Sequence, residues 1–246
     1  MKKVGIIGLG YWGKILNSKL EKFCDVKFTC ISKDTYFDKL ESVDWVIIST
    51  PNETHYEIVE NCLLAGKNVF CEKPLTLTYE ESKKLFRLAK YLGVKLYVDD
   101  IQNYREYNFN IYKNNLVERR KSDGDLTDVL YMLAYHDFYV LYKYIKDLKI
   151  KDIILIDNIN TLHFKIQFND NTLDLKNIEF IYDLNSKEKK HNINGYSLIG
   201  EDDIIPKMLS NVINEKVDFE YNKKISLFSN KFIDKLNSKL FKEIIK

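Results

Sequence analysis

Hydrophobic positions in the first hundred residues follow two alternating periods. Short apolar runs, typical of buried strands, are separated by stretches in which apolar side chains recur every three or four residues, as on one face of a helix. The predicted strands lie at residues 4–8, 26–31, 45–49, 68–71 and 94–98. The predicted helices lie at residues 12–23, 36–40, 54–65 and 78–92. This alternation predicts an α/β fold, a doubly wound parallel sheet with right-handed crossovers.

The pattern changes after about residue 100. Residues 103–117 are polar and aromatic and predict no regular element. The elements predicted beyond them are helices at 125–144, 203–214 and 226–241, strands at 152–156, 161–168 and 173–182, a hairpin turn at 169–171 and a loop at 185–194. We therefore expect two domains: a dinucleotide-binding domain over residues 1–100, and an α+β domain with an antiparallel sheet over residues 101–246.

Composition and charge exclude several classes of protein. The 246 residues include 38 Lys and Arg against 36 Asp and Glu, a net charge of +2, and 45% are hydrophobic. Such a chain folds, and its near-neutral charge gives no electrostatic basis for binding nucleic acid or an anionic membrane surface. No apolar run approaches the ~20 residues of a membrane helix. The start is basic and then apolar, but its four glycines and the lack of a small-residue cleavage site argue against a signal peptide.

The cysteine and histidine spacings predict neither disulfides nor a metal site. Cys24, Cys30, Cys62 and Cys71 all lie in the first third of the chain and form no CxxC pair. No two histidines have the spacing of metal ligands. We expect reduced core thiols, no metal, and a cytoplasmic protein.

A glycine-rich motif follows the first predicted strand. Gly8, Gly10 and Gly13 form GxGxxG between that strand and the helix it leads into. In this setting the first glycine permits a tight turn, the second lets a pyrophosphate approach the backbone, and the third lets the helix pack on the strand. The motif predicts a dinucleotide site, the alternative being a purely structural glycine turn.

The end of the second strand bears on the choice between NADP and NAD. An acidic residue there would bind the adenosine ribose hydroxyls, whereas this chain has Ser32 and Lys33, which suit a 2′-phosphate. We therefore favour NADP slightly over NAD. The alternative is that both residues begin a solvated loop and that Asp34 reaches back to the ribose.

Two further strand ends carry polar residues. Thr50 and Asn52 flank Pro51 after the third strand, and Lys73 follows the fourth. Ligands bind at the carboxyl ends of strands in doubly wound sheets, so Thr50 and Asn52 are candidates for binding the nucleotide and Lys73 for proton transfer. The alternatives are that Asn52 only caps a helix and that Lys73 is a solvated surface lysine.

The stretches GLGYWG, STPNETH and CEKPL occur in an order and spacing that resembles one family. This is the glucose–fructose oxidoreductase and inositol dehydrogenase family of NAD(P)-dependent oxidoreductases. GYWG is most similar to members that act on nucleotide-linked sugars. The resemblance is strong over residues 3–98 and faint afterwards, returning at His136-Asp137 and in the closing helices.

The resemblance implies roles for individual residues. Those implied to bind the cofactor are Gly8, Gly10, Tyr11, Trp12 and Gly13 at the pyrophosphate, Ser32 and Lys33 at the adenosine ribose, Thr50, Asn52 and His55 along the nucleotide, and Glu72 at the nicotinamide ribose. Lys73 would be the catalytic lysine, often presented by a cis Lys-Pro bond. His136 would exchange a proton with the sugar.

Several positions depart from the family pattern. Met132 stands where an aspartate usually precedes the histidine by four residues, and Asp128 is two helical turns from that histidine. Of the segment from Val98 to Tyr104, only those two end residues agree with the VGHTFLY-like strand end of the family. Family members also run well past 300 residues, so we expect a shortened second domain, chiefly between residues 104 and 128.

The implied function is hydride transfer between a nicotinamide and a carbon of a sugar or nucleotide sugar, with Lys73 and His136 handling the proton. Family members often pair through the open face of the second sheet, so a homo-oligomer is expected. The alternative is a dinucleotide-binding sensor, regulator or assembly subunit that no longer catalyses. The missing aspartate favours that alternative, and the retained Glu72-Lys73-Pro74 favours the enzyme.

Overall fold

The computed structural model describes residues 1–31, 35–121, 129–159, 161–169, 177–200 and 203–240. The strands are β1 (Lys3–Ile7), β2 (Asp25–Cys30), β3 (Trp45–Ile48), β4 (Asn68–Cys71), β5 (Leu96–Val98), β6 (Asn114–Arg120), β7 (Lys149–Asp157), β8 (Thr161–Asn169), β9 (Asn177–Asp183), β10 (Lys190–Ile193) and β11 (Tyr196–Ser197). The α-helices are α1 (Tyr11–Leu20), α2 (His55–Leu64), α3 (Tyr79–Leu92), α4 (Tyr135–Ile145), α5 (Ile205–Ile213) and α6 (Phe219–Leu240).

The chain divides into two compact units. The first contains Met1–Tyr104 and Asp203–Asn230, and the second contains Arg105–Asp202 and Lys231–Lys246. A single division at residue 100 was predicted, but the chain returns to the first unit at residue 203. The reason is that α5 and the first half of α6 carry apolar residues that pack in the core of the first unit, among them Leu209, Val212 and Leu227.

The first unit contains the predicted parallel sheet. Its five strands lie in the order β2-β1-β3-β4-β5, and every neighbouring pair is parallel. All four residues of β3 are fully buried, as expected for a central strand covered by helices on both faces. The strand order reverses between β1 and β3, and ligands of doubly wound sheets bind outside the carboxyl ends of the strands at such a point.

Helices cover both faces of this sheet. On one face, α2 and α3 pack on a cluster that includes Val46, Ile48, Val59, Leu63, Val69 and Leu85. On the other face, α1 and α5 pack on a cluster that includes Ile6, Leu16, Trp45, Phe70, Leu209 and Val212. This three-layer arrangement confirms the predicted doubly wound architecture, which is that of a Rossmann fold.

The second unit contains a six-stranded sheet in the order β11-β10-β6-β9-β8-β7. An antiparallel sheet was predicted, but this one is mixed. Strands β6 and β9 run parallel, with Asn114 opposite Asn177, and the other neighbouring pairs are antiparallel. One face is buried, through alternating residues such as Leu162, Phe164 and Ile166.

Three strands of this sheet were not predicted, and β11 is the shortest of them, with two residues. Strand β6 overlaps the last residues of the polar stretch 103–117 and continues to Arg120. Strand β10 lies in the predicted loop 185–194. The inward positions of β6 and β10 include Asn115, Arg119 and His191, polar residues that are buried because hydrogen bonds satisfy them. A search for alternating apolar residues therefore passes over β6 and β10. Most of the predicted turn at 169–171 lies outside the described residues.

The four cysteines are free and buried, as predicted. Within the described ranges, no helix has the length and apolar character needed to cross a membrane.

Candidate active site

Two glycines of the loop between β1 and α1 are required by the backbone. Gly8 has a φ of 101°, and a Cβ at this position would lie 2.6 Å from the carbonyl group of Ser49. A Cβ on Gly13 would lie 1.8 Å from the carbonyl oxygen of Gly8. Gly8 thus makes the tight turn and Gly13 allows close packing of helix and strand, as the motif predicts.

Gly10 has a different environment. A Cβ built on it meets no atom within 4 Å, so nothing within the folded chain excludes a larger side chain. Gly10 is also the N-cap of α1, without a side-chain hydrogen bond to the helix, and the first turn carries no acidic residue. The unsatisfied N–H groups of this helix end favour a negatively charged group. The loop therefore fits a pyrophosphate.

Tyr11 and Trp12 begin α1 with exposed aromatic rings. Their side chains are 77% and 51% exposed, and the two rings meet edge to face with centroids 5.7 Å apart. Together they form an exposed aromatic patch, the kind of surface that can bind a ligand. Their position beside Gly10 places this apolar surface at the border of the glycine loop.

Hydrogen bonds join the end of β3 to the glycine loop. Ser49 donates from Oγ to the carbonyl oxygen of Gly8 over 2.8 Å. The hydroxyl of Thr50 is buried and accepts a 2.8 Å bond from Thr54 Oγ1. Asn52 begins a 3₁₀ turn (Asn52–Thr54), and it is the N-cap of neither that turn nor α2. Its half-buried side chain does not have the capping role that was the alternative to nucleotide binding.

His55 connects two loops of this edge. Its ring is fully buried, with Nδ1 2.7 Å from the carbonyl oxygen of Pro74 and Nε2 2.8 Å from that of Thr50. Burial lowers the pKa of His55, and the charge of Lys73 acts in the same direction against the two carbonyl groups. The ring has no exposed surface, so it contributes by holding the loops that carry Thr50 and Lys73.

Glu72, Lys73 and Pro74 follow β4, and the Lys73–Pro74 peptide bond is cis. The backbone N–H of Glu72 bonds to the carbonyl oxygen of Ile48 over 2.8 Å, which aligns this segment with the end of β3. Burial raises the pKa of Glu72, against the opposing effects of the Lys73 charge and a hydrogen bond from the side chain of Asp99. The lysine and two carboxyl groups therefore lie together at the carboxyl end of β4 and β5.

Asp99 and Asp100 follow β5, and sequence reasoning did not identify either as a site residue. Both are buried, with exposures of 7% and 5%. Burial raises the pKa of Asp99 well above its ordinary value, and the charges of Glu72 and Asp100 add to the effect. The available signal was a pair of adjacent acids directly after an apolar strand, at the edge where ligands bind.

The carboxyl group of Asp100 is held by hydrogen bonds from neighbouring side chains. It accepts hydrogen bonds from the hydroxyl of Tyr97 and, over 3.0 Å, from Asn103 Nδ2. Asn222 of α6 completes this region, because its amide pairs with both the N–H and the carbonyl oxygen of Val98 at 3.0 and 2.8 Å. These bonds fix the backbone that carries Asp99.

His136 lies in the second unit, near the start of α4, and its side chain is half-buried. The turn before it, Leu130–Ala134, is π-helical. Hydrogen bonds in a π-helix run to the fifth residue rather than the fourth. Met132 lies within this π-helical turn, and Asp128 is outside the described residues.

Asp137 belongs to a buried polar network in the second unit. Its carboxyl group lies 3.1 Å from Arg119 Nε, 2.6 Å from His191 Nε2 and 2.8 Å from the hydroxyl of Tyr182. Burial alone would raise the pKa of Asp137, but Arg119 and His191 lower it. The expectation that His191 lies in a loop was wrong, since this residue is on β10. With all its partners internal, this network stabilises the second unit.

The described residues thus bring together most of the predicted cofactor site. The strand ends of β1, β3, β4 and β5 are linked through Ser49, His55 and the bond between Glu72 and Asp99. Ser32 and Lys33, on which the choice of NADP depends, lie outside the described residues together with Asp34.

Most of the N-terminal part of the first unit is similar to a known family. Residues 15–100 match the sequence profile of a family described as an oxidoreductase family with an NAD-binding Rossmann fold. A scyllo-inositol 2-dehydrogenase (NADP⁺) of Bacillus subtilis is 30% identical over 178 residues, which cover 54% of this chain and 49% of the relative. The chain thus spans about half the length of this curated relative.

Solved structures share the fold over nearly the whole chain. A UDP-N-acetylglucosamine 3-dehydrogenase from Acidithiobacillus ferrooxidans superposes with a TM-score of 0.75 at 16% identity, covering 94% of this chain and 96% of the other. An oxidoreductase of the Gfo/Idh/MocA family from Vibrio cholerae gives a TM-score of 0.77 at 14% identity and full coverage of both chains. At these identities the likeness establishes the fold.

Proposed function

We propose that this chain is a member of the glucose–fructose oxidoreductase and inositol dehydrogenase family and an NAD(P)-dependent oxidoreductase of a sugar or nucleotide sugar. The observation that carries the proposal is the placement of Lys73 with Glu72 at the carboxyl end of β4, in the same unit and at the same sheet edge as the glycine loop. A lysine at this edge can exchange a proton with the oxygen of a reacting carbon.

The residues of the first unit would hold the dinucleotide. Gly8, Gly10 and Gly13 form the loop for its pyrophosphate, with the exposed rings of Tyr11 and Trp12 beside it. Residues assigned to the nucleotide and the nicotinamide ribose are Thr50, Asn52 and Glu72, with His55 holding their loops. When bound, the nicotinamide supplies or accepts the hydride.

Lys73 would hold or move the proton of the substrate oxygen while the carbon that bears this oxygen is oxidised or reduced. Glu72 lies next to this ammonium and partly balances its charge. His136 would act as a second acid or base from the second unit. We place NADP ahead of NAD because of Ser32 and Lys33, and the scyllo-inositol 2-dehydrogenase of Bacillus subtilis is likewise named for NADP⁺. Assembly as a homo-oligomer is part of the same proposal.

The experiment is a binding and turnover measurement on the purified protein. NADH and NADPH fluorescence is titrated first, and a panel of sugars, inositols and UDP-linked sugars is then scanned for a change in nicotinamide absorbance. We expect dinucleotide binding together with turnover of at least one member of the panel. Binding without turnover would favour the non-catalytic alternative, and the absence of binding would overturn both.

A further inference from the structure

The register of the first sheet brings two carboxyl groups side by side. Strands β4 and β5 are parallel, and their last residues, Cys71 and Val98, are directly opposite each other. The next residue on each strand is an acid, Glu72 and Asp99. The backbone N–H of Asp99 bonds to the carbonyl oxygen of Cys71 over 2.8 Å, so the two chains still run together at this point. The side chains of Glu72 and Asp99 are hydrogen-bonded to each other.

Such a bond requires a proton on one of the two groups. Two carboxylates in contact repel each other, so the pair retains one proton between them at neutral pH. Asp99 is 7% exposed and also faces the charge of Asp100, whereas Glu72 is half-buried and lies beside the cation of Lys73. The neutral acid is therefore Asp99, which donates the hydrogen bond, and Glu72 is the carboxylate.

The backbone N–H of Ile101 donates to Asp99 Oδ1 over 3.0 Å, which favours the carboxylate, so the proton of the neutral acid lies on Oδ2. The other groups that face Asp99 leave this assignment unchanged. Tyr104 and the thiol of Cys71 carry no charge at neutral pH, so neither changes the energy of a charge on Asp99. Asp100 is engaged by Tyr97 and Asn103. Among the described groups that act on Asp99, Lys73 is the cation. One negative charge on the pair therefore balances one positive charge on the lysine.

We propose that Asp99 is a positioning residue for proton transfer at Lys73. As a neutral acid it donates a hydrogen bond to Glu72, fixes that carboxylate, and limits the negative charge beside the ammonium to one. A second negative charge there would oppose release of the lysine proton. The proposal rests on the oxidoreductase function proposed above, and Asp99 itself exchanges no proton with the substrate.

The first test needs no substrate. Infrared spectroscopy of the protein at pH 7 detects the carbonyl band of a protonated carboxylic acid. We expect Asp99→Asn to remove this band and the neighbouring Asp100→Asn to retain it, with circular dichroism confirming that both variants are folded. A spectrum that Asp99→Asn leaves unchanged would overturn the proposal.

The second test compares two replacements of Asp99. Asparagine keeps a neutral donor to Glu72, whereas leucine removes it. Asp99→Leu should lower kcat by about tenfold to a hundredfold, the scale of a misplaced catalytic group, and Asp99→Asn should recover most of that loss. In wild type, ionisation of the pair should make kcat fall at alkaline pH. This alkaline limb should be absent from the pH profile of Asp99→Asn. Equal impairment of two folded variants would contradict a positioning role.

The two tests separate this proposal from the proposed function. If wild type binds NADPH but turns over no sugar in the panel, the oxidoreductase function fails, and the role of Asp99 in proton transfer fails with it. The infrared band then still reports whether Asp99 carries the shared proton. If wild type turns over a sugar and the band is not that of Asp99, the function stands and the role of Asp99 is overturned.

Discussion

The Nδ1 atom of His55 lies 2.7 Å from the carbonyl oxygen of Pro74. The two residues are 19 positions apart in the sequence. His55 begins α2, and Pro74 follows the candidate catalytic lysine. With its Nε2 atom on the carbonyl oxygen of Thr50, one buried ring holds two loops of the site in register. A neutral imidazole donates to only one of these carbonyl groups, and an imidazolium donates to both.

Replacement of His55 should make the protein less stable and change how its stability depends on pH. The neutral ring donates to one of the two buried carbonyl groups, so His55→Leu removes that hydrogen bond, and an unsatisfied buried group costs about 1–3 kcal/mol. His55→Gln keeps a donor and should lose less. The measurement is the free energy of unfolding in urea, with equal stability of His55→Leu and wild type as the contradicting result.

The sign of the pH effect follows from the lowered pKa of His55. The folded protein binds this proton less readily than the unfolded chain, whose histidine has a pKa of about 6.5. Stability from this residue is therefore fully present above that pH and decreases on acidification. The stability difference between wild type and His55→Gln should shrink from pH 8 to pH 5. A difference that is constant over this range would contradict the prediction.

Gly10 and Gly13 should respond in opposite ways to an added side chain. Gly10→Val fills open space, so the protein should fold normally but bind NAD(P)H at least about tenfold more weakly, equivalent to 1.4 kcal/mol. Gly13→Ala drives a Cβ into the carbonyl oxygen of Gly8 and should reduce stability by about 1–3 kcal/mol. Thermal unfolding and fluorescence titration measure the two effects. Unchanged NADPH affinity in folded Gly10→Val would exclude the loop as the site.

Lys73→Met should remove turnover and leave folding intact. Loss of a general acid or base typically lowers the rate by about 10²–10⁴-fold. His136→Ala should cost less, because no aspartate stands at position 132 to orient it. Lys84→Met on the exposed face of α3 is the matched control. The kcat values and melting temperatures of the three variants are compared, and full turnover by Lys73→Met would rule out the proposed mechanism.

Lys33→Ala should reduce a preference for NADPH. The lysine would pair with the 2′-phosphate, so its removal should weaken NADPH binding and leave NADH binding nearly constant. Titration of wild type and variant with both nucleotides measures the ratio of dissociation constants. A preference of wild type for NADH that the substitution does not alter would reverse the assignment.

The elements of the first unit were predictable because periodicity and buried position agree there. The apolar run of β3 is buried on both faces, and Gly93 ends α3 in the left-handed conformation that favours glycine. The second unit was less predictable. Arg119 and His191 point inward on β6 and β10 and are satisfied by Asp137, a partner distant in sequence that no local pattern reveals.

The candidate site also contains residues that local sequence predicts and contacts that it does not. Gly8 and Gly13 act through the backbone within one six-residue motif, so the spacing of the motif predicted their conformational roles. The bond between Glu72 and Asp99 depends on the register of β4 and β5, two neighbouring strands that α3 separates in the sequence. Register is a tertiary property, and a pair of acids after a strand does not show which neighbour it will meet.

The return of the chain to the first unit has a consequence for its synthesis on the ribosome. Asn222, which binds both backbone groups of Val98, is 124 residues further along the chain. At about 5–20 residues per second, translation needs roughly 6–25 s to reach it after Val98 has been made. During this interval the nascent chain holds a complete glycine loop and an incomplete sheet edge at Asp99. The residues before Tyr104 therefore leave the ribosome ahead of the second unit, yet the first unit matures only after Asn222 has been made.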